Sequence, residues 1–148
     1  MDIYIIDSNI VFSAAMKSDS GIGRFIMAAS RYAVRFYAPD YLRTELNNHF
    51  DELVERAKRP ASEVRDQIEL IYSKIQFISD SQIPLQMYVR GAELARAVDE
   101  DDIVFVALNE FFGETLFTGD NQLYRHLIAK GYTRVINFAE IKEKYNFK

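Results

Sequence analysis

Four acidic residues lie far apart in this chain, each where a predicted strand ends or a predicted helix begins: Asp7, Glu45, Asp102 and Asp120. Asp7 directly follows the apolar run at residues 3–6, and Asp120 follows residues 115–118 after one glycine. In a parallel α/β sheet, strand carboxyl ends and helix amino ends share one side, where ligands bind. Carboxylates crowded there repel one another unless protons or a cation intervene. A hard divalent metal is the simplest solution, and metal-assisted phosphoester cleavage is the chemistry it indicates.

Polar neighbours of two of these acids are candidates for supporting roles. Ser8 and Asn9 either hydrogen-bond to Asp7 or order the turn that follows the first strand. Thr118 either orients a water or a neighbouring carboxylate, or is an ordinary β-branched strand residue. Asp7 itself has the alternative role of a helix cap or turn former. Asp120 can cap the helix beginning near residue 121 and also bind a metal.

A run of acids at residues 99–102 precedes the apolar segment 103–107. Asp101 or Asp102 is expected to cap the helix there and to complement its dipole. Four acids exceed what capping needs, and a cation would relieve their repulsion. Asp102 is the preferred ligand because it is nearest the buried helix face, and Asp99 is the second choice. Periodicity alone favours an ordinary solvated glutamate at Glu45. His49, one turn later, could pair with it, but the pattern favours an ordinary surface histidine.

The spacing of apolar residues predicts the elements that position these acids. Strands are predicted at residues 3–6, 34–38, 76–78, 115–118 and 134–136. Helices are predicted at about 21–35, 42–57, 60–75, 84–98, 102–111, 121–130 and 138–145. Because strands alternate with helices, we expect a parallel sheet with helices on both faces.

Composition and charge limit the classes of function. At 148 residues the chain is expected to form a single domain, residues 1–148. The absence of cysteine excludes disulfides and thiolate sites. A net charge of −4 argues against strong nonspecific nucleic-acid binding but not against a nuclease that uses metal ions. No apolar run approaches the roughly 20 residues of a membrane helix, and no signal-peptide layout is found, so we expect a cytoplasmic protein without a membrane partner.

Nucleotide-binding and zinc motifs are missing from the sequence. It contains neither a GxxxxGK[ST] phosphate loop nor a GxGxxG fingerprint, so a nucleotide-dependent enzyme is disfavoured. With two histidines and no cysteine, a zinc hydrolase is also disfavoured.

Taken together, the motifs resemble the PIN domain, the nuclease family that includes the VapC-type toxins. The resemblance covers nearly the whole chain and rests on four elements in order: Asp7-Ser8-Asn9 after the first strand, Glu45 in an early helix, Asp99-x-x-Asp102 before residues 105–107, and the segment 116–120 that ends in Asp120. It implies a three-layer α/β/α sandwich around a parallel sheet of about five strands. It also implies an acidic site for Mg²⁺ or Mn²⁺ and hydrolysis of single-stranded RNA by an endoribonuclease.

The same resemblance implies roles for individual residues and partners. The catalytic metal ligands would be Asp7, Glu45, Asp102 and Asp120. The supporting residues would be Asn9, Asp99, Thr118 and Ser8, the last standing where the family often has threonine. The chain would be the toxin of a toxin–antitoxin pair, with an antitoxin protein and a second copy of itself as partners.

Three other readings compete with this one. A noncatalytic PIN-fold binding module would keep the fold and lose turnover. A haloacid-dehalogenase-like phosphatase also has an aspartate after its first strand, but it needs a second one where this chain has Asn9. A phosphoacceptor receiver domain needs a lysine after a late strand, which is not found.

Overall fold

Short apolar segments form one five-stranded sheet in the computed structural model, which describes residues 1–148. Every strand pairs in parallel with its neighbours, and the spatial order is β3-β2-β1-β4-β5. The strands are β1 (Asp2–Ile6), β2 (Val34–Pro39), β3 (Ile75–Ile78), β4 (Thr115–Phe117) and β5 (Val135–Ile136).

Nine α-helices connect and flank these strands: α1 (Ser8–Met16), α2 (Gly21–Ala28), α3 (Tyr41–Asn48), α4 (Phe50–Ala57), α5 (Ala61–Tyr72), α6 (Leu85–Ala95), α7 (Ile103–Phe112), α8 (Asn121–Ala129) and α9 (Phe138–Tyr145). Short 3₁₀ turns occupy Ala29–Tyr32, Asp80–Gln82 and Glu100–Asp102. None of the helices combines the length and apolarity needed to cross a membrane.

The order of the strands assigns the helices to two layers. The chain moves from β1 to β2 and β3, then returns past β1 to β4 and β5. Right-handed crossovers therefore place α1–α5 on one face and α6–α8 on the other. In agreement, α7 packs against β1, β2, β4 and α6, whereas α1 packs against α2, α4 and α5. The predicted three-layer α/β/α sandwich is confirmed.

The central strand β1 is covered on both faces, which fixes the position of the residue that follows it. Ile5 and Ile6 are both fully buried although successive strand side chains point to opposite faces. Burial of each such side chain contributes roughly 1.5–3 kcal/mol. The direction of the chain reverses between β1 and β4, where Ile6 pairs with Phe117. This switch point is where open α/β sheets form a ligand crevice.

Two helix predictions differ most from the structure, and one helix was not predicted. The predicted helix 42–57 is wrong as one element, because α3 ends at Asn48 and His49 (φ −109°, ψ 13°) separates it from α4. Two asparagines before His49 weaken the helix locally. The predicted helix 21–35 ends at Ala28, and Ala33 adopts a left-handed φ of 55° before β2. Helix α1 was not predicted, because the turn chemistry of its first residues obscured the helical spacing that follows.

Candidate active site

Asp7 lies at the switch point, between the end of β1 and the start of α1. Only 2% of the residue is exposed, and although it occupies the N-cap position of α1, its side chain caps no backbone N–H. The carboxylate instead accepts hydrogen bonds from Thr118 Oγ1 (2.8 Å) and Asn9 Nδ2 (3.3 Å), both at Oδ2. Burial raises the pKa of Asp7 to about 6, partly opposed by these hydrogen bonds. The capping alternative for Asp7 is therefore wrong.

Asn9 and Thr118 form a clamp between the ends of β1 and β4. Asn9 Oδ1 accepts a hydrogen bond from the Gly119 backbone N at 2.8 Å, and Asn9 Nδ2 donates to Thr118 Oγ1 at 3.4 Å. Thr118 is fully buried, and its Oγ1 also accepts from the Asp120 backbone N at 3.1 Å. A Cβ at Gly119 would meet Asn9 Oδ1 at 3.4 Å, an ordinary van der Waals distance, so the hydrogen bond from this backbone N does not itself require glycine.

Asp120 caps the helix that follows β4. Its Oδ1 accepts hydrogen bonds from the backbone N of Gln122 (2.9 Å) and Leu123 (3.2 Å), at the amino end of α8. The sequence predicted this capping role. Both bonds use the same oxygen.

Glu45 reaches the same edge of the sheet from α3. Its Oε1 accepts a 2.8 Å hydrogen bond from Ser8 Oγ, so Ser8 contacts Glu45 rather than Asp7. Burial raises the pKa of Glu45 to about 7, the Ser8 hydrogen bond opposes this shift, and the nearby charge of Asp7 adds to it. His49 does not pair with Glu45; its Nδ1 lies 3.5 Å from Glu52 Oε2.

Asp102 carries a buried oxygen without a partner. Only 9% of the residue is exposed, and Oδ2 has no hydrogen-bond donor within reach. The expectation that Asp101 or Asp102 caps this segment is wrong, because Asp99 accepts from the Asp101 backbone N at 2.9 Å and Asp102 caps nothing. Burial raises the pKa of Asp102 to about 8, and the charges of the surrounding acids raise it further.

The charges of the four predicted ligands influence one another, but the four side chains do not surround a common point. The charges of Asp7, Asp120, Asp99 and Glu45 all raise the pKa of Asp102. No group of three or more His, Cys, Asp or Glu side chains is gathered closely enough to hold a metal ion.

The donors nevertheless fit a hard divalent cation in type and in charge. All of them are carboxylate oxygens, the ligands that Mg²⁺ and Mn²⁺ prefer. The unpartnered Asp102 Oδ2 is a buried acceptor that a cation would satisfy.

Tyr41, a residue of this region, escaped the sequence analysis. Tyr41 Oη donates a 2.7 Å hydrogen bond to Asp101 Oδ1, and this bond raises the pKa of Tyr41. Helical spacing could have identified Tyr41, because it precedes Glu45 by four residues and so lies on the same face of the helix.

Comparisons with known proteins agree with this fold. The family model described as PIN domain matches residues 5–141. No curated protein matches the chain significantly. Among solved structures, a chain of VapBC2 from Rickettsia felis, bound to a DNA fragment from their promoter, is similar with a TM-score of 0.64 and 13% sequence identity. The match covers 91% of this chain and 98% of that chain, and at this identity it concerns the fold.

Proposed function

The chain belongs to the PIN domain family, a family of nucleases, and from this premise we propose that it is a metal-dependent endoribonuclease that hydrolyses phosphodiester bonds of single-stranded RNA. The observation that carries the proposal is the buried, unpartnered Oδ2 of Asp102, a residue whose pKa is raised by burial and by the charges of Asp7, Asp120, Asp99 and Glu45. Ionising a carboxyl in this position is costly unless a cation compensates the charge, and such a perturbed acid is typical of a functional site.

Mg²⁺ or Mn²⁺ would be held by Asp7, Glu45, Asp102 and Asp120. When bound, such an ion supplies Lewis-acid stabilisation of the phosphoryl oxygens and makes a water more acidic. The other steps of the proposed reaction depend on side chains of the protein.

Thr118 and Asn9 hold the Asp7 carboxylate in one orientation through its Oδ2. Ser8 fixes Glu45 through Oε1, which leaves Oε2 as the atom that accepts the proton of the attacking water in our proposal. Hydrolysis needs no side-chain nucleophile: water attacks phosphorus and gives its proton to Glu45 Oε2, the P–O bond to the leaving oxygen breaks, and that oxygen takes up a proton from solvent.

Asn9 argues against the phosphatase alternative. A haloacid-dehalogenase-like enzyme needs an acid at this position, whereas here the amide bonds both to the Asp7 side chain and to the Gly119 backbone N. An aspartate could not donate to Asp7. Asn9 therefore holds Asp7 and Gly119 in place and does not act as an acid catalyst in our proposal.

Protein partners form the second part of the proposal. Because the similar Rickettsia felis structure is of VapBC2, we propose that this chain is a toxin whose activity an antitoxin blocks. Adding the purified product of a neighbouring small gene should suppress cleavage, and cleavage that persists at saturating partner would contradict this. We also propose a homodimer, which a sedimentation experiment showing only monomer would contradict.

The deciding experiment is cleavage of labelled single-stranded RNAs in Mg²⁺, Mn²⁺ or EDTA. Wild type is compared with Asp7→Asn and with Asp19→Asn, a control at an exposed carboxylate in the loop after α1. We expect metal-dependent cleavage by wild type and Asp19→Asn, and a loss of about 100-fold in Asp7→Asn, the upper end of the loss seen when a residue that only orients a metal ligand is changed. Equal cleavage by Asp7→Asn would refute the site. Absence of both cleavage and metal-dependent stabilisation would favour a noncatalytic binding module.

A further inference from the structure

A cavity of about 400 Å³ opens beside the acidic site, between α3, α6 and the start of α7. Its wall combines aromatic rings, carboxylates, apolar side chains and a single guanidinium group; the residues that matter here are Tyr41, Asp80, Tyr88, Arg96, Asp101 and Val104. Its volume lies in the range of small-ligand sites.

The cavity is joined to the acidic site through two segments. Tyr41 lies one helical turn before Glu45, so the two side chains leave the same face of α3. Tyr41 Oη also donates to Asp101 Oδ1 at 2.7 Å, and Asp101 directly precedes Asp102. A ligand in the cavity would therefore lie next to the acidic site.

The two tyrosines form fixed walls. Tyr88 Oη donates to the backbone O of Asp80 at 2.7 Å, and the Asp80 carboxylate accepts from the Tyr41 backbone N at 3.2 Å. The turn at Asp80–Gln82 thus anchors both α3 and α6. Rings whose hydroxyls are held in this way lose little freedom when they stack on a flat ligand.

The charges of the wall select a neutral ligand rich in hydrogen-bond donors. Arg96 is the one cationic side chain among the lining residues, against three carboxylates that include Asp80 and Asp101. A phosphate is disfavoured by this balance, whereas an unstacked base is not. Guanine fits both signs, because its N1–H and N2–H₂ groups donate to a carboxylate and its O6 and N7 accept from arginine.

We propose that this cavity binds a guanine base of the single-stranded RNA substrate, next to the scissile phosphate. The proposal rests on the ribonuclease function proposed above and specifies its substrate preference. Tyr88 is assigned the stacking surface, Arg96 the contact to O6 and N7, and the carboxylates the contact to the amino edge.

The test maps cleavage sites in a random pool of single-stranded RNA with Mg²⁺ or Mn²⁺. Wild type should cut with guanine enriched at one fixed position beside the cut. Tyr88→Ala should lose about tenfold in kcat/KM on guanine-containing sites, the usual effect of removing a stacking ring, whereas Tyr88→Phe keeps the preference. Val89→Ala, an exposed change on the same helix, is the matched control.

Single-atom changes in the RNA test the same contacts from the other side. Inosine lacks the 2-amino group of guanine, and 7-deazaguanine lacks N7. With wild type, both substitutions should lower the cleavage rate. Arg96→Ala should cleave guanine and 7-deazaguanine RNA equally, but it should still cleave inosine RNA more slowly. The affinity of the protein for the same oligonucleotides in EDTA tests these contacts without any cleavage.

The outcomes separate the two proposals. Cleavage without guanine preference, or a preference that Tyr88→Ala retains, would overturn the base site and leave the nuclease intact. If no RNA is cut, equal affinity for guanine and inosine oligonucleotides overturns the base site as well. Variants that leave base preference unchanged but release a bound protein partner would assign the cavity to that partner instead.

Discussion

Ser8 Oγ donates a hydrogen bond of 2.8 Å to Glu45 Oε1 and so ties the first residue of α1 to α3 across the carboxyl edge of the sheet. The two residues are 37 positions apart, and the bond holds one of the predicted metal ligands in place. In this chain the serine that stands beside Asp7 in sequence therefore acts on a different carboxylate. This relationship makes Ser8 a positioning residue whose removal is testable.

Ser8→Ala should weaken the site without disturbing the fold. Loss of one hydrogen bond to a charged group is worth roughly 1.5–3 kcal/mol, so we expect a loss of about tenfold or more in metal affinity. The pKa of Glu45 should also rise, because the Ser8 bond lowers it. The measurement is cleavage rate against Mg²⁺ concentration. Ser8→Thr should restore the affinity, and Ser13→Ala, an exposed change on the same helix, should behave as wild type.

Thr118→Val should destabilise the protein, because it keeps the shape but removes a buried hydroxyl that donates to Asp7. Burial raises the pKa of Asp7 to about 6 in the folded protein. The contribution of Asp7 to stability is therefore fully present below its unfolded pKa and is lost as pH rises through about 6. Without the hydroxyl the ionised carboxylate is worse solvated. The deficit should therefore be larger at pH 8 than at pH 5.

Thermal unfolding in EDTA measures the effect of Thr118→Val. For a chain of this size, each 1 kcal/mol lowers Tm by roughly 2–4 °C. Thr115→Val, at a half-buried position in β4, the strand that Thr118 follows, is the control for loss of a threonine hydroxyl. A deficit equal at both pH values would show that the hydroxyl does not act through the Asp7 charge.

Asp102→Asn should flatten the pH dependence of stability in the metal-free protein. Burial raises the pKa of Asp102 to about 8, so the wild-type folded state holds a proton that the unfolded state has lost. Stability from this group is present below the unfolded pKa of about 4 and is lost as pH rises through about 8. We expect wild type to lose more Tm than the variant between pH 6 and pH 9 in EDTA. Parallel curves would contradict the assignment.

Mg²⁺ or Mn²⁺ should stabilise the wild-type protein, and more strongly at pH 8 than at pH 5.5. The ligands must be deprotonated to bind, and the pKa values of Asp7, Glu45 and Asp102 are all raised. At a metal concentration of 100 Kd the gain is about 2.7 kcal/mol, or roughly 5–10 °C in Tm. Scanning calorimetry of wild type and Asp102→Asn decides the point, since an equal shift in both would place the metal elsewhere.

The sequence by itself determined the class of fold and the edge at which the acids lie. The alternation of apolar strands with amphipathic helices is a local pattern, and parallel strands necessarily bring their carboxyl ends together. The positions of Asp7 and Asp120 follow from this rule alone. The strand predictions held for the same reason, whereas the single-domain assignment stays a prediction.

Only the tertiary structure decided what each acid does. Which of the acids at 99–102 caps a backbone N–H depends on backbone angles. Asp99 caps the 3₁₀ turn before α7, whereas Asp102, at the N-cap position of α7, makes no capping bond and is buried with a free oxygen. The Ser8–Glu45 bond and the cavity beside Tyr41 join segments far apart in sequence. Such contacts produce no periodic pattern in the sequence, because they depend on packing between helices and not on the spacing of residues along one helix.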